Sequence, residues 1–254
     1  MRKIFLLVLI LISSNSILAF SHSKELFISN SLEYFKNYVL KSNKSHVSGN
    51  VLSVDEIYSD YTNNELAANK KYKDKNLRIK TTINQIKEDA FGNAFIISKI
   101  KNSMIGSAHF KVNEKDPKIL ELSKNDTVDL MCKFDEFSLD SLSFNQCIFT
   151  EQFLDKILNP IKENLLKADS QDYKPQSQME GMLSLIATDF PDDVLNKVCE
   201  NDVKNCNMDN IKKSKFYPKT KSKESNDLDA HMKTLIDKYG KEWFKSLPKF
   251  PEVE

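Results

Sequence analysis

Between Lys73 and Phe149 the chain adopts a two-residue hydrophobic period, and that period constrains its fold more than any other feature. Leu77, Ile79, Thr81 and Ile83 alternate with Arg78, Lys80, Thr82 and Asn84, the pattern of a strand with one face buried and one in water. The alternation returns in "FGNAFIIS", in "SAHFKV" (Ala108, Phe110, Val112), in "TVDLMCKF" (Val128, Leu130, Cys132, Phe134) and in "LSFNQCIF". A turn around Lys87–Asp89 separates the first two segments, and "DPKILELSKND" reads as a helical turn between the third and fourth. Five short strands with a helix after the third is the layout of an OB barrel. The expected fold class is α+β: a small five-stranded OB-type β-barrel preceded and followed by helices.

The flanks have helical spacing. Only 5 glycines in 254 residues suit packed helices and one small sheet. The N-terminus places Arg2 and Lys3 before an apolar run from Ile4 to Ile12 and a small-residue stretch, "SSNSILAF". This is the layout of a secretory signal peptide, and its apolar run is shorter than the roughly 20 residues of a spanning helix. Residues 1–19 are expected to be that signal peptide, cut after Ala19 or after Ser16. Residues 20–54 follow as an N-terminal helical segment, with "SKELFISNSLEYFKNYVLKS" as its helix and "NKSHVSGN" as a loop. A second helix, from Ser53 to Lys71, is weakened at Thr62–Asn64, where Asn63 or Asn64 can cap a separate turn starting at Glu65. The OB-fold domain is expected over 55–150. Residues 151–254 form a C-terminal helical region with a basic linker at 211–225. It opens on the stripe Phe153, Leu154, Ile157, Leu158, Ile161, Leu165, kinked or split by Pro160. It ends in a helix from Leu228 to Trp243.

Export changes the reading of charge and cysteine. The chain carries 37 basic and 36 acidic residues. Loss of Arg2 and Lys3 leaves 35 against 36, a charge of −1, without the basic excess of a protein that lives on phosphate backbones. An even number of cysteines in an oxidising compartment points to disulfides. Cys132 with Cys147 and Cys199 with Cys206 is the simplest of three connectivities. On a straight helix Cys199 and Cys206 would stand about 10 Å apart, beyond disulfide reach, so this pairing requires a turn within "ENDVKN". No C-x-x-C occurs and the histidines are scattered, so neither a metal nor a cofactor is implied.

The stretch "EIYSDYTNNELAANKKYKDKNLRIKTTINQI" resembles the start of the exported OB-fold family called tRNA-anticodon-like. Glu65, Ala67, Ala68, Lys71, Tyr72, Lys73 and Lys75 match that family's N-E-x-A-A and K-Y-K-x-K segments. "LSKNDTVDL" resembles its helix–turn–strand element, with Asn125 where the family carries glycine. "FNQCIF" resembles its last strand, while Cys132 stands earlier than the family's usual cysteine. The resemblance covers about 55–150 and implies the OB fold; the family name records a likeness to anticodon-binding domains and does not imply tRNA binding. In physical terms, Ala67 and Ala68 let a helix end approach the barrel mouth. Tyr72 is expected to bury its ring while its hydroxyl stays in water, with the lysines as a solvated rim.

OB folds bind oligonucleotides and oligosaccharides on the face of strands two and three. Candidates there are Phe95, Lys99, Lys101, His109 and Lys111. A second candidate is the basic patch Lys212, Lys213, Lys215, Lys219, Lys221 and Lys223 beside Phe216 and Tyr217, which could meet phosphates. Pro218, Glu224 and Asp227 make it read as a solvated linker instead. His109 and His231 have no neighbour of useful spacing, Ser184 lacks a G-x-S-x-G setting, and Asp192–Asp193 reads as a helix start. The chain is therefore expected not to be an enzyme. The leading expectation is an exported, periplasmic or secreted, non-catalytic OB-fold module. Its partner is a protein or a cell-envelope component, with no integral membrane span once the signal is removed. The alternative is a single-stranded nucleic-acid-binding OB-fold protein of the envelope, disfavoured because most aromatics have core parity.

Overall fold

The computed structural model describes residues 22–45, 47, 49–101, 103–168, 173–189, 192–199, 206–215, 233 and 236–249. The expected signal peptide, 1–19, lies outside them. Helix α1 (His22–Lys41) leads into strands β1 (Lys44–Ser45) and β2 (Gly49–Leu52), then α2 (Val54–Asn63) and α3 (Glu65–Tyr72). The sheet continues with β3 (Asn76–Thr82), β4 (Gln85–Glu88), β5 (Ala94–Lys99) and β6 (Ser107–Val112). A short helix α4 (Pro117–Leu120) precedes β7 (Thr127–Ser138) and β8 (Ser141–Phe149). Helices α5 (Thr150–Leu165), α6 (Gln178–Asp189), α7 (Asp192–Cys199), α8 (Met208–Lys213) and α9 (Lys241–Ser246) follow.

Helix boundaries follow local hydrogen-bonding chemistry. The Ser53 side chain accepts from the Glu56 N–H and opens α2. Asn64 serves both neighbours: its N–H closes α2 on the Asp60 carbonyl at 2.9 Å. Its side chain accepts from the Ala67 N–H at 3.1 Å and opens α3. The break expected at Asn63 or Asn64 is therefore present. Asp116 caps α4 ahead of Pro117, in the place expected for a helix between the third and fourth strands. Helix α5 runs through Pro160 without splitting. Of the helix expected from Leu228, residues 228–232, 234 and 235 lie outside the described residues. Gly240 at φ 87° separates helical residues 236–239 from α9, so the expected run to Trp243 is interrupted at a residue that tolerates positive φ.

The strand order is β1-β2-β3-β7-β8-β6-β5-β4. Strand β1 pairs only with β2; the other seven form a mixed sheet, parallel at β2–β3 and β6–β8 and antiparallel elsewhere. This corrects the expected five-stranded barrel to an open, helix-flanked seven-strand sheet within an α+β chain. Two causes are local. The expected first strand divides at Ile83–Asn84, because the Ile83 N–H bonds the Asp126 carbonyl (2.9 Å) whereas the Asn84 N–H bonds the Ile97 carbonyl (2.8 Å). Consecutive residues thus serve opposite neighbours. The second cause is "NKSHVSGN" with the residues after it: instead of a plain loop, it supplies β1 and the start of β2, and β2 lies parallel to β3 with Val51 beside Arg78.

The sheet encloses one core. Ile79, Ile83, Ile96, Phe110, Leu130 and Phe134 are each 0% exposed, on the parity that alternation assigns to the interior. Phe110 stacks on Phe144 at 4.8 Å, and Tyr61 stacks on Phe134 at 5.1 Å from the α2 side. A second core joins α1 to α5 through Ile28, Leu32, Leu154 and Ile161, whereas Tyr38 of α1 is exposed. A third packs Phe27 on Leu195, Cys199 and Cys206. The cysteines are joined as Cys132–Cys147 and Cys199–Cys206, with Cα separations of 4.1 and 4.6 Å.

Arg78 departs from its expected solvent-facing place: it is 1% exposed. The end of α1 covers the outer face of β3 there. The guanidinium bonds the carbonyls of Val39 (2.9 Å), Ser42 (3.0 Å) and Leu40 (2.9 Å), and the Asp129 carboxylate at 2.6 Å. Thr150 Oγ1 donates to the same carboxylate at 2.6 Å. Arg78 thereby joins the end of α1 to β3 and β7, the shared Asp129 carboxylate brings in Thr150 of α5, and the guanidinium supplies donors to carbonyls at the helix end.

Candidate functional site

Strands β5 and β6 alternate between core and surface. Ala94, Ile96 and Ser98 face inward, as do Ala108, Phe110 and Val112; Phe95, Ile97, Ser107, His109 and Lys111 face out. Register then sets neighbours across the sheet: Lys87 pairs with Phe95 and Phe95 with Lys111. The outcome is a row, Lys87–Phe95–Lys111, with an aromatic between two lysines. The next row holds Gln85, Ile97 and His109, and continues to Ser143 on β8. His109 Nε2 lies 2.8 Å from Ser107 Oγ. Burial lowers its pKa below the usual imidazole value, and the Lys87 charge adds to that, so at neutral pH it offers a hydrogen-bonding ring rather than a charge.

The five expected ligand residues are split by the fold. Phe95, His109 and Lys111 share this face. Lys99, paired with Ser107, has the same outward parity but lies at the strand end; with Lys101 it borders a hollow of about 320 Å³ at the bend of the divided strand, beside Lys80, Thr82 and Asn84. There the Lys101 N–H donates to Asp55 Oδ1 at 2.6 Å. Asn125, in the expected glycine position, has φ 75°, a conformation asparagine tolerates better than most side chains. Sequence reasoning missed Lys87 and Lys80. Lys80 was legible as an outward position of the first strand, whereas Lys87 was hidden because the strand extends through what reads as a turn. In the basic patch, Lys213 and Lys215 are exposed and Lys212 sits in α8; Lys219, Lys221 and Lys223 lie outside the described residues.

The family-like segment at α3 is held by a carboxylate. Asp60 Oδ2 accepts from Tyr72 Oη at 2.6 Å and from Lys71 Nζ at 2.8 Å, and Lys71 lies 4.7 Å above the Tyr72 ring. The Tyr72 hydroxyl is therefore not in water as expected: the residue is 1% exposed. Burial, then the bond to Asp60, pushes its phenol up to about 12. The bonds from Lys71 and then Tyr72 hold the Asp60 carboxyl below its ordinary range. Of the two alanines, Ala68 is buried and Ala67 exposed, so only one makes the close approach.

In α6, Ser184 Oγ donates to the Gly181 carbonyl at 2.8 Å, a bond within its own helix. Among the described residues no group of three or more His, Cys, Asp or Glu could hold a metal ion. None of their helices is long and apolar enough to cross a membrane.

A helix-flanked mixed β-sheet entered through the Asp60–Lys71–Tyr72 cluster defines the class of module. The chain belongs to the tRNA_anti-like family, whose model matches residues 1–148. Among solved structures it is similar to a protein from Klebsiella pneumoniae provisionally named a nucleic acid-binding lipoprotein. That likeness has 14% identity and a TM-score of 0.33, covering 39% of this chain and 89% of the other. A likeness to a Leishmania major protein provisionally named an aspartyl-tRNA synthetase has 13% identity and a TM-score of 0.27, covering 44% of this chain and 24% of the other. No curated protein matches the chain.

Proposed function

We propose that this chain is an exported, non-catalytic OB-fold interaction module that binds a protein or cell-envelope component through the loop tips at one end of its sheet. One observation carries the reading. Met104, Ile105 and Leu139 are 103%, 77% and 95% exposed, and they stand on adjacent turns. Ser107 pairs with Ser141, and a Cβ built on Gly106 would lie 3.1 Å from the Asp140 carbonyl. Apolar side chains held in water on loops, above a rigid sheet, suit contact with another apolar surface. Export is supported by the N-terminal sequence and by two disulfides, which persist in oxidising compartments.

The finer fold reading belongs to the same proposal. With β3 and β4 read as the two halves of one strand bent at Ile83–Asn84, the pairings β4–β5, β5–β6, β6–β8, β8–β7 and β7–β3 support an OB-like strand order within the open sheet. A photo-crosslinking residue at position 105 tests the function in envelope fractions of the producing cell, with one at exposed Leu120 as control. A discrete adduct from 105 alone is expected, reduced when Met104 and Leu139 become serine. Equal adducts from both positions, or none from 105, would overturn the reading.

A second reading, single-stranded nucleic-acid binding, is favoured by the row Lys87–Phe95–Lys111. Stacking aromatics among cations are what such sites use.

A further inference from the structure

The parallel ladder between β6 and β8 runs from Ser107 beside Ser141 to Phe110 beside Phe144 and stops. Beyond it the strands flank a cleft of about 690 Å³, bounded on its far side by Phe153 and Lys156 of α5. The cleft has a structural cause. Against β7, Met131 pairs with Ile148 but Lys133 pairs with Asn145, so β8 carries one extra residue. Gln146 takes φ 51° within this bulge, and Cys147, next to it, is bonded to Cys132. A bulge re-aims side chains and ends pairing, and here the disulfide anchors it, so the cleft is formed before anything binds.

Its chemistry is mixed. Met131, Ile148 and Phe153 supply an apolar wall; Asn76, Asn145 and Gln146 bring carboxamides; Lys111 and Lys156 bring positive charge, and among the described residues no carboxylate lines it. Asn145 Oδ1 is buried without a hydrogen-bond partner. A buried acceptor left unpaired is costly, so this atom calls for a donor. The volume lies in the range of small-ligand sites.

We propose that this cleft binds an acid-bearing sugar: one or two sugar units carrying a carboxylate or a phosphate. Ring hydroxyls meet the carboxamides of Asn76, Asn145 and Gln146, the C–H face of the ring lies on the apolar wall, and the acid group meets Lys111 and Lys156. This site stands apart from the loop tips. Because Lys111 also belongs to the Lys87–Phe95–Lys111 row, Lys156 is the residue that separates this proposal from the nucleic-acid reading.

Calorimetric titration of the full mature chain tests it with four probes: a glucuronate-containing disaccharide, glucose 1-phosphate, neutral glucose and AMP. One or both acidic sugars are expected to bind with Kd below about 1 mM, the stronger identifying whether carboxylate or phosphate is the natural acid. Glucose should bind at least tenfold more weakly. Asn145→Leu should cut affinity at least tenfold while leaving the unliganded melting temperature unchanged or higher, since it removes an unpaired acceptor. Lys156→Gln, on the surface of α5, keeps the test open if the leucine variant misfolds, and should reduce acid binding without affecting the weak binding of glucose. Absence of acid-sugar binding at millimolar concentration, binding indifferent to both substitutions, or AMP binding tenfold tighter than either sugar would overturn the proposal.

Discussion

Arg78 sits at an outward position of an alternating strand, where alternation alone places a solvated side chain. Alternation reports that a second face exists; it does not report what covers it. Here the cover comes from α1, and the carboxylate partner, Asp129, lies 51 residues away, so neither was legible locally. Removing one partner of a buried ion pair costs about 3–5 kcal/mol. Arg78→Met is expected to lose an amount of that order in urea unfolding, and Arg78→Lys to recover little, because an ammonium cannot reach three carbonyls and a carboxylate together. A loss under about 1 kcal/mol, the range of exposed ion pairs, would contradict the hub described above. Glu180 is the second residue of this kind. It is 1% exposed, and accepts from Tyr173 Oη (3.1 Å), the Gln176 N–H (3.1 Å) and Asn164 Nδ2. Burial pushes its carboxyl up, and these donors offset that only in part. With the folded pKa above the unfolded one, the native state keeps a proton that the unfolded state has released. The associated stability is full below the unfolded value, near 4.5, and is lost as pH rises through the raised one. Wild type should therefore lose stability relative to Glu180→Gln as pH climbs from that value; urea midpoints across a pH series check it, and a relative gain would contradict it.

At the scale of elements, sequence reading succeeded where a pattern was long or a capping residue stood alone. The β5, β6, β7 and β8 segments, the helix between the third and fourth strands, and the break at Asn64 all followed from alternation and side-chain capping. It failed where pattern length runs out. A two-residue strand at Lys44–Ser45 and a four-residue one at Gly49–Leu52 hold too few positions for a period to show. The division of the first strand at Ile83–Asn84 is set by which neighbour each N–H finds, which alternation does not encode. The disulfides sit at two junctions: Cys132–Cys147 beside the β8 bulge, and Cys199–Cys206 between the end of α7 and the start of α8. Loss of the first through paired alanine substitution is expected to cost about 2–4 kcal/mol and to weaken the register around Gln146. Non-reducing peptide maps and urea unfolding check both points. A map joining Cys132 or Cys147 to either of the other cysteines, or an unchanged stability, would contradict the arrangement.

For the molecule as a whole, composition speaks against broad electrostatic attraction to polyanions, and the candidate surfaces are small. The lysines beside Phe95 form a row that becomes visible only when strand register is known, since Lys87 and Lys111 are 24 positions apart in the sequence. The apolar tips were equally hidden: Met104–Ile105 and Leu139 look like ordinary loop residues until the two turns are placed side by side. An interaction module and a nucleic-acid groove differ most in how binding responds to salt, because each neutralised phosphate releases counterions. Fluorescence titration of a single-stranded oligonucleotide at low and then moderate salt is thus the most direct measurement. Weak binding with a shallow salt slope is expected, little changed by Lys87→Gln and Lys111→Gln together. Tight binding that falls steeply with salt, and whose slope flattens on those two substitutions, would contradict the interaction-module reading in favour of nucleic acid.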